Sequence, residues 1–205
     1  MTLDRRVRWE KIYCERTADE VSWFQGSPAL SLELIRQAKV PQGGTLIDVG
    51  GGASRLVDSI LDEDLARVSV LDISPRALAH ARDRLGARAE QVHWIEADIT
   101  AFLPAEPYDV WHDRAVLHFL TDESDRKKYV ECLRKALKPG GAFILAAFAP
   151  DGPETCSGLP VRRYDSSLVR EAFGDEFELV RETAETHMTP WTAEQKFAYF
   201  LLKRR

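Results

Sequence analysis

The chain is poor in cysteine and methionine and has no long apolar run. Cys14, Cys132 and Cys156 are its three cysteines in 205 residues. An odd, widely spaced set points to neither a disulfide framework nor a zinc site, and no metal is expected. A reducing compartment, here the cytoplasm, is the default expectation. No segment approaches the ~18 consecutive apolar residues of a membrane-spanning helix. Arginines at 5, 6 and 8 are followed by no apolar core, so no signal peptide is expected. Positive charge is not in excess either: 28 Lys and Arg face 33 Asp and Glu, a net charge of -5. That balance disfavours a protein built to grip nucleic-acid phosphates. Internal repeats and low-complexity tracts are also missing.

What is present suits one globular domain. Hydrophobic residues are 44% and charged residues 30%, and the length suffices for one good core. The organising stretch is Thr45-Leu46-Ile47-Asp48-Val49-Gly50-Gly51-Gly52. A strand-like run ends in an acid and passes into three glycines, and a helical pattern follows. Consecutive glycines cost backbone entropy, and a ligand lying directly on the main chain is a reason to carry them. A second apolar run, Val68 to Leu71, ends in Asp72, 24 positions after Asp48. An acid at the tip of the second strand suits ribose hydroxyls. The dinucleotide fingerprint would need glycine at 55, where Arg55 stands. Asp48 would also crowd a pyrophosphate, so a cationic or zwitterionic ligand fits better.

Asp48-Val49-Gly50-Gly51-Gly52 resembles the first motif of the class I S-adenosylmethionine-dependent methyltransferases, and Leu137-Lys138-Pro139-Gly140-Gly141 resembles the family's lead into its fifth strand. The resemblance implies an α/β fold in three layers: a Rossmann-like seven-stranded, mostly parallel sheet with one antiparallel strand and helices on both faces. It implies S-adenosyl-L-methionine as cofactor. Asp48, Gly50, Gly51 and Gly52 would lie at its methionine part, joined by the main chain of His112. Asp72 and Ile73 would take the ribose, Asp98 and Ile99 the adenine, and Trp23 would cover the ligand. Without the resemblance, Asp98 reads equally as a helix N-cap.

The pattern places strands at about 45–49, 67–72, 91–96, 108–111 and 142–148, with two more at 177–182 and 196–202. Helices are expected near 28–39, 54–62, 75–85, 122–137 and 165–173, with Ser27-Pro28 and Ser74-Pro75 as starts. We read one domain over 1–205: an N-terminal helical or lid segment (1–42), a cofactor-binding core (43–148), and a substrate-side loop with C-terminal strands (149–205). The entry segment carries Trp9, Tyr13, Trp23 and Phe24. They read either as core packing or as a lid. Their arrangement, with Trp111 to Arg114, is similar to thiopurine S-methyltransferase-like enzymes.

Methyl transfer from a sulfonium needs alignment, exclusion of water and, for some acceptors, removal of a proton. Asp113, Arg114 and His118 form the densest polar cluster and are the catalytic candidates: Asp113 or His118 as base, Arg114 to orient an anion. An Asp113–Arg114 pair with a purely structural His118 is the competing reading. Cys156, Arg162, Arg163, Tyr164 and His187 form a second tier. The expected acceptor is a small molecule, with a thiol or another soft nucleophile first. A protein lysine or amino group is the alternative, and a non-catalytic cofactor-binding subunit is the alternative of another class.

Overall fold

Thr45–Val49 (β1) is the pivot of the sheet in the computed structural model, which describes residues 2–205. It pairs in parallel with Arg67–Asp72 (β2) on one side and Tyr108–Arg114 (β4) on the other. His93–Glu96 (β3) lies outside β2, and Leu137–Phe148 (β5) lies outside β4, both parallel. Glu194–Arg204 (β9) then runs antiparallel along β5, and Phe177–Met188 (β8) antiparallel along β9. The order is β3-β2-β1-β4-β5-β9-β8, with β9 the strand that runs against the others. The chain reverses its direction of travel between β1 and β4, and the crevice at the carboxyl ends of these strands is where open α/β sheets take ligands. Thr155–Cys156 (β6) and Leu159–Pro160 (β7) form a separate short ribbon.

The helices are Thr2–Glu15 (α1), Ala29–Ala38 (α2), Leu56–Asp62 (α3), Pro75–Leu85 (α4), Glu123–Ala136 (α5) and Ser166–Phe173 (α6). Two cores result from the period-two alternation of the strands. Ile47, Trp111, Phe143, Leu145 and Phe200 pack with Tyr129 and Leu133 of α5 and Val169 and Phe173 of α6. Leu46, Val70, Val110, Ile144 and Leu201 pack with Leu34 and Ile35 of α2, Leu56 and Ile60 of α3, and Leu78 of α4. Each face of the sheet is therefore covered, and the three-layer expectation holds.

Several boundaries differ from the pattern reading. α2 starts at Ala29 with Pro28, not Ser27, in the capping position. Ser74 does cap α4, accepting from the Ala77 N–H at 3.1 Å, with Pro75 as first helical residue. Gly86–Gln91 is a 3-10 turn, so β3 begins at His93 rather than 91. β5 begins at Leu137, because that residue leaves α5 already extended and Tyr108 pairs with it across a register shift. β4 runs on to Arg114 because β5 continues to pair with it. β8 and β9 have 12 and 11 residues and are longer than expected. Among the described residues no helix is long and apolar enough to cross a membrane.

Candidate functional site

A cavity of about 500 Å³ opens over Gly50 at the ends of β1, β2 and β4. Asp72, Ile73, Asp98 and Ile99 line one side, and Trp9, Tyr13, Trp23 and Phe119 line another. A smaller cavity of about 50 Å³ adjoins it and includes Asp48, Gly51, His112 and Ser31. Trp23, Gly50 and Arg114 line both.

The glycine turn is shaped by its neighbours. Gly50 takes φ +70°, and a Cβ there would run into Val116. Gly52 takes φ +30°, and a Cβ would stand 2.5 Å from Asp72 Oδ2 and 3.0 Å from Ala77 Cβ. A side chain on Gly51 would meet the Asp48 carboxylate. Gly50 and Gly51 both donate from their N–H groups to the Leu71 carbonyl, at 2.7 and 3.2 Å. Of the three, Gly50 lines both cavities, Gly51 lines the smaller one, and Gly52 lines neither.

Asp72 is buried at the tip of β2, and its Oδ1 accepts from the Ser74 N–H at 2.8 Å. Burial pushes its carboxyl up to about 7; the charges of Asp48 and Glu10 add to this, and the Ser74 N–H opposes it. Asp98 follows β3 and accepts from Thr100 N–H and Oγ1 through Oδ1, at 2.8 and 2.7 Å. Its Oδ2 is buried without a hydrogen bond inside the protein and has Arg5 Nη1 at 3.6 Å. It is therefore both a local turn-maker and an acceptor left open beside the cavity.

Asp48 accepts from His112 Nδ1 at 2.7 Å, and His112 Nε2 lies 2.9 Å from Ser31 Oγ. This buried chain ties β1, β4 and α2 together beneath the glycines. His112 enters β4 directly opposite Asp48.

The three catalytic candidates separate. Arg114 lines the cavity and is held there: Nε donates to Tyr199 Oη and Nη1 to the Trp23 carbonyl, each at 3.0 Å. Asp113 points away and is fully buried. Its carboxylate accepts from Tyr129 Oη at 2.6 Å, from Val116 N–H at 2.9 Å and from Leu117 N–H at 3.1 Å. Burial pushes it up to about 6 against those donors. His118 is also fully buried, packed edge-on to Phe119 and Phe148. Burial, helped by the Arg114 charge, pushes it down to about 3 and keeps it neutral. Neither Asp113 nor His118 lines either cavity, so the general-base role expected for them is corrected. Strand alternation turns Asp113 toward α5 while Arg114 faces the ligand side.

Of the second tier, Cys156 lines the cavity, buried 3.9 Å from Ser22 Oγ, with its thiol pushed up by burial. His187 Nε2 bonds the Ser22 carbonyl at 2.8 Å and shapes the entry segment. The Arg162 guanidinium stacks on Tyr164, Arg163 pairs with Glu154, and none of these lines the cavity. Pattern reading missed Arg5, which bonds Asp125 as well as facing Asp98, and Glu185, which accepts from Tyr199 and Gln25. Arg5 sits on a polar helix with no local signature, and Glu185 sits among alternating charges on β8.

α1 lies against this site. Trp9 meets Trp23 and Phe119 edge-on, with ring centroids 5.7 and 5.0 Å apart. Glu10 accepts from Ser74 Oγ at 2.5 Å and from Arg76 N–H at 3.1 Å, at the start of α4. Trp9, Tyr13, Trp23 and Phe119 therefore line the site, and Trp23 and Phe119 also pack against the core on the α2, α3 and α4 side of the sheet.

Residues 47–143 match a family model described as a methyltransferase domain. Trans-aconitate 2-methyltransferase of Azoarcus sp. (strain BH72) is 29% identical over 114 residues, 55% of this chain and 42% of that protein. Nodulation protein S of Rhizobium fredii is 28% identical over 96 residues, 47% of this chain and 54% of that protein. The matched stretch thus spans about half the length of these curated relatives. Among solved structures, N-methyltransferase NodS from Bradyrhizobium japonicum WM9 in complex with S-adenosyl-L-homocysteine has a TM-score of 0.73 at 18% identity, over 99% of this chain and 98% of that one. A structure titled for conversion of a disulfide bond into a thioacetal group during echinomycin biosynthesis has a TM-score of 0.79 at 17% identity, over 97% and 92%.

Proposed function

Because the chain carries a methyltransferase domain over residues 47–143 and folds as the class I methyltransferases do, we propose that it transfers a methyl group from S-adenosylmethionine to a small-molecule acceptor. One observation carries this reading: the 500 Å³ cavity brings Gly50 of the glycine turn, Asp72, Asp98 with its Oδ2 free of any hydrogen bond, and an aromatic wall into one place. The cofactor would supply an electrophilic methyl on a sulfonium whose leaving group is neutral. Asp72 would accept from the ribose hydroxyls, Asp98 Oδ2 from the adenine amine, with Ile73 and Ile99 beside the rings. The glycine turn would approach the amino-acid part, and Trp9, Trp23 and Phe119 would exclude water.

What the cavity does not supply supports a choice of acceptor class. Among the described residues lining it there is no histidine and no lysine. An acceptor that arrives already nucleophilic suits such a wall, and we place thiols first, since a thiolate needs only to be held. The thioacetal-forming neighbour is concerned with sulfur and agrees with this. Amines are the second reading, supported by the neighbour named an N-methyltransferase. Calorimetry with S-adenosylmethionine, and NAD as control, tests the cofactor. Release of S-adenosylhomocysteine across panels of thiols and amines tests the acceptor. Micromolar binding of the first ligand alone, with turnover of a thiol, is the expected result. Preference for NAD would overturn the reading, and binding without turnover of any acceptor would leave a cofactor-binding subunit.

A further inference from the structure

Arg114 brings a buried guanidinium to the junction of the two cavities with one nitrogen unsatisfied. Its Nε and Nη1 are taken by Tyr199 Oη and the Trp23 carbonyl, and its plane lies 4.4 Å over the Phe197 ring. Nη2 makes no hydrogen bond within the protein, although the side chain is only 10% exposed. The nearest carboxylate is Glu185, with Oε2 3.9 Å from Nη2. That carboxylate is occupied elsewhere: Gln25 Nε2 donates to both its oxygens at 3.1 Å and Tyr199 Oη donates to Oε2 at 3.0 Å. Buried polar N–H groups are rarely left unmade, and guanidinium is the side chain that best matches a planar two-oxygen anion.

We infer that Arg114 receives a carboxylate from a ligand in the cavity. Glu185 is the positioning residue: it fixes Tyr199, which orients the fork, and its charge leaves the pair near neutral. Such a pair selects one carboxylate rather than a polyanion. The carboxylate has two sources, the amino-acid end of the cofactor or the acceptor itself. This inference rests on the methyl-transfer reading for the identity of the ligands.

Two probe pairs distinguish the sources by calorimetry. S-adenosylhomocysteine is compared with 5′-methylthioadenosine, which lacks the amino-acid part. With S-adenosylhomocysteine saturating, 3-phenylpropionate is compared with its amide. The wild type is expected to prefer the carboxylate member of one pair by about tenfold or more. Arg114→Gln should abolish that preference and Arg114→Lys retain part of it. Glu185→Gln, which keeps acceptor oxygen for Tyr199, should increase the preference several-fold by removing the competing charge. A carboxylate preference that survives in Arg114→Gln, or none in either pair for the wild type, overturns the inference. Should Arg114→Gln fail to fold, an unchanged preference in Glu185→Gln overturns it. Failure of S-adenosylhomocysteine to bind the wild type at all would instead remove the methyl-transfer reading beneath it.

Discussion

Asp72 is the residue whose chemistry is most exposed to test. Burial holds its carboxyl near 7 in the ligand-free protein. The neutral form therefore adds stability that is full below the ordinary carboxylate range and lost as pH rises through about 7. A cationic sulfonium ligand favours the ionised form. We expect S-adenosylmethionine to bind more tightly as pH rises from 6 to 8, with proton release below 7, measured by calorimetry in buffers of different ionisation enthalpy. Asp72→Asn should flatten that dependence and weaken binding by about 1.5–3 kcal/mol, the scale of hydrogen bonds to a charged acceptor. A steep dependence that survives in this variant would place the titrating group elsewhere. Gly52→Ala tests the turn, since its Cβ would stand 2.5 Å from Asp72 Oδ2 at φ +30°. It should lose cofactor affinity and about 1–3 kcal/mol of stability; wild-type values for both would show that the turn relaxes freely.

At the scale of elements, β4 divides its labour by alternation. Trp111 and Asp113 serve the α5 side, where Tyr129 Oη bridges them, accepting from Trp111 Nε1 at 3.0 Å and donating to Asp113. Tyr129→Phe should lower stability by about 1–3 kcal/mol and leave cofactor affinity and turnover alone. Thermal melts and steady-state kinetics check this, and a collapse in kcat at normal stability would return Asp113 to the chemistry. The strands, the glycine turn and the acids at strand tips were legible from sequence because each rests on local pattern: apolar runs, glycine spacing, a terminal carboxylate. The roles of Asp113 and His118 were not, because a cluster along the chain does not say which way each side chain turns. β4 was read as ending at Trp111, and three further residues of strand decide that. Arg114's partners, Trp23, Tyr199 and Glu185, come from segments up to 91 positions away, and no local pattern announces them.

For the whole molecule, the matched region 47–143 is less than a folding unit. β9 covers β5 along seven paired residues from Ala142 to Phe148 and buries Phe197, Tyr199, Phe200, Leu201 and Leu202. Cutting after Phe148 would expose β5 as a long apolar edge. We expect residues 43–148 alone to aggregate while the full chain stays dispersed, as read by size-exclusion chromatography with light scattering. A soluble, cooperatively melting fragment would show that the C-terminal hairpin serves the site alone. The same hairpin reaches the entry segment, through His187 to the Ser22 carbonyl and through Arg114, packed on Phe197, to the Trp23 carbonyl.

Those last two contacts grip consecutive carbonyls, which every amino acid provides. These two contacts are therefore blind to which side chains residues 22 and 23 carry, although the Trp23 ring adds its own packing against Trp9 and Tyr13. Mutational drift or directed evolution can therefore reshape the wall at Trp23 while both carbonyl contacts stay in place.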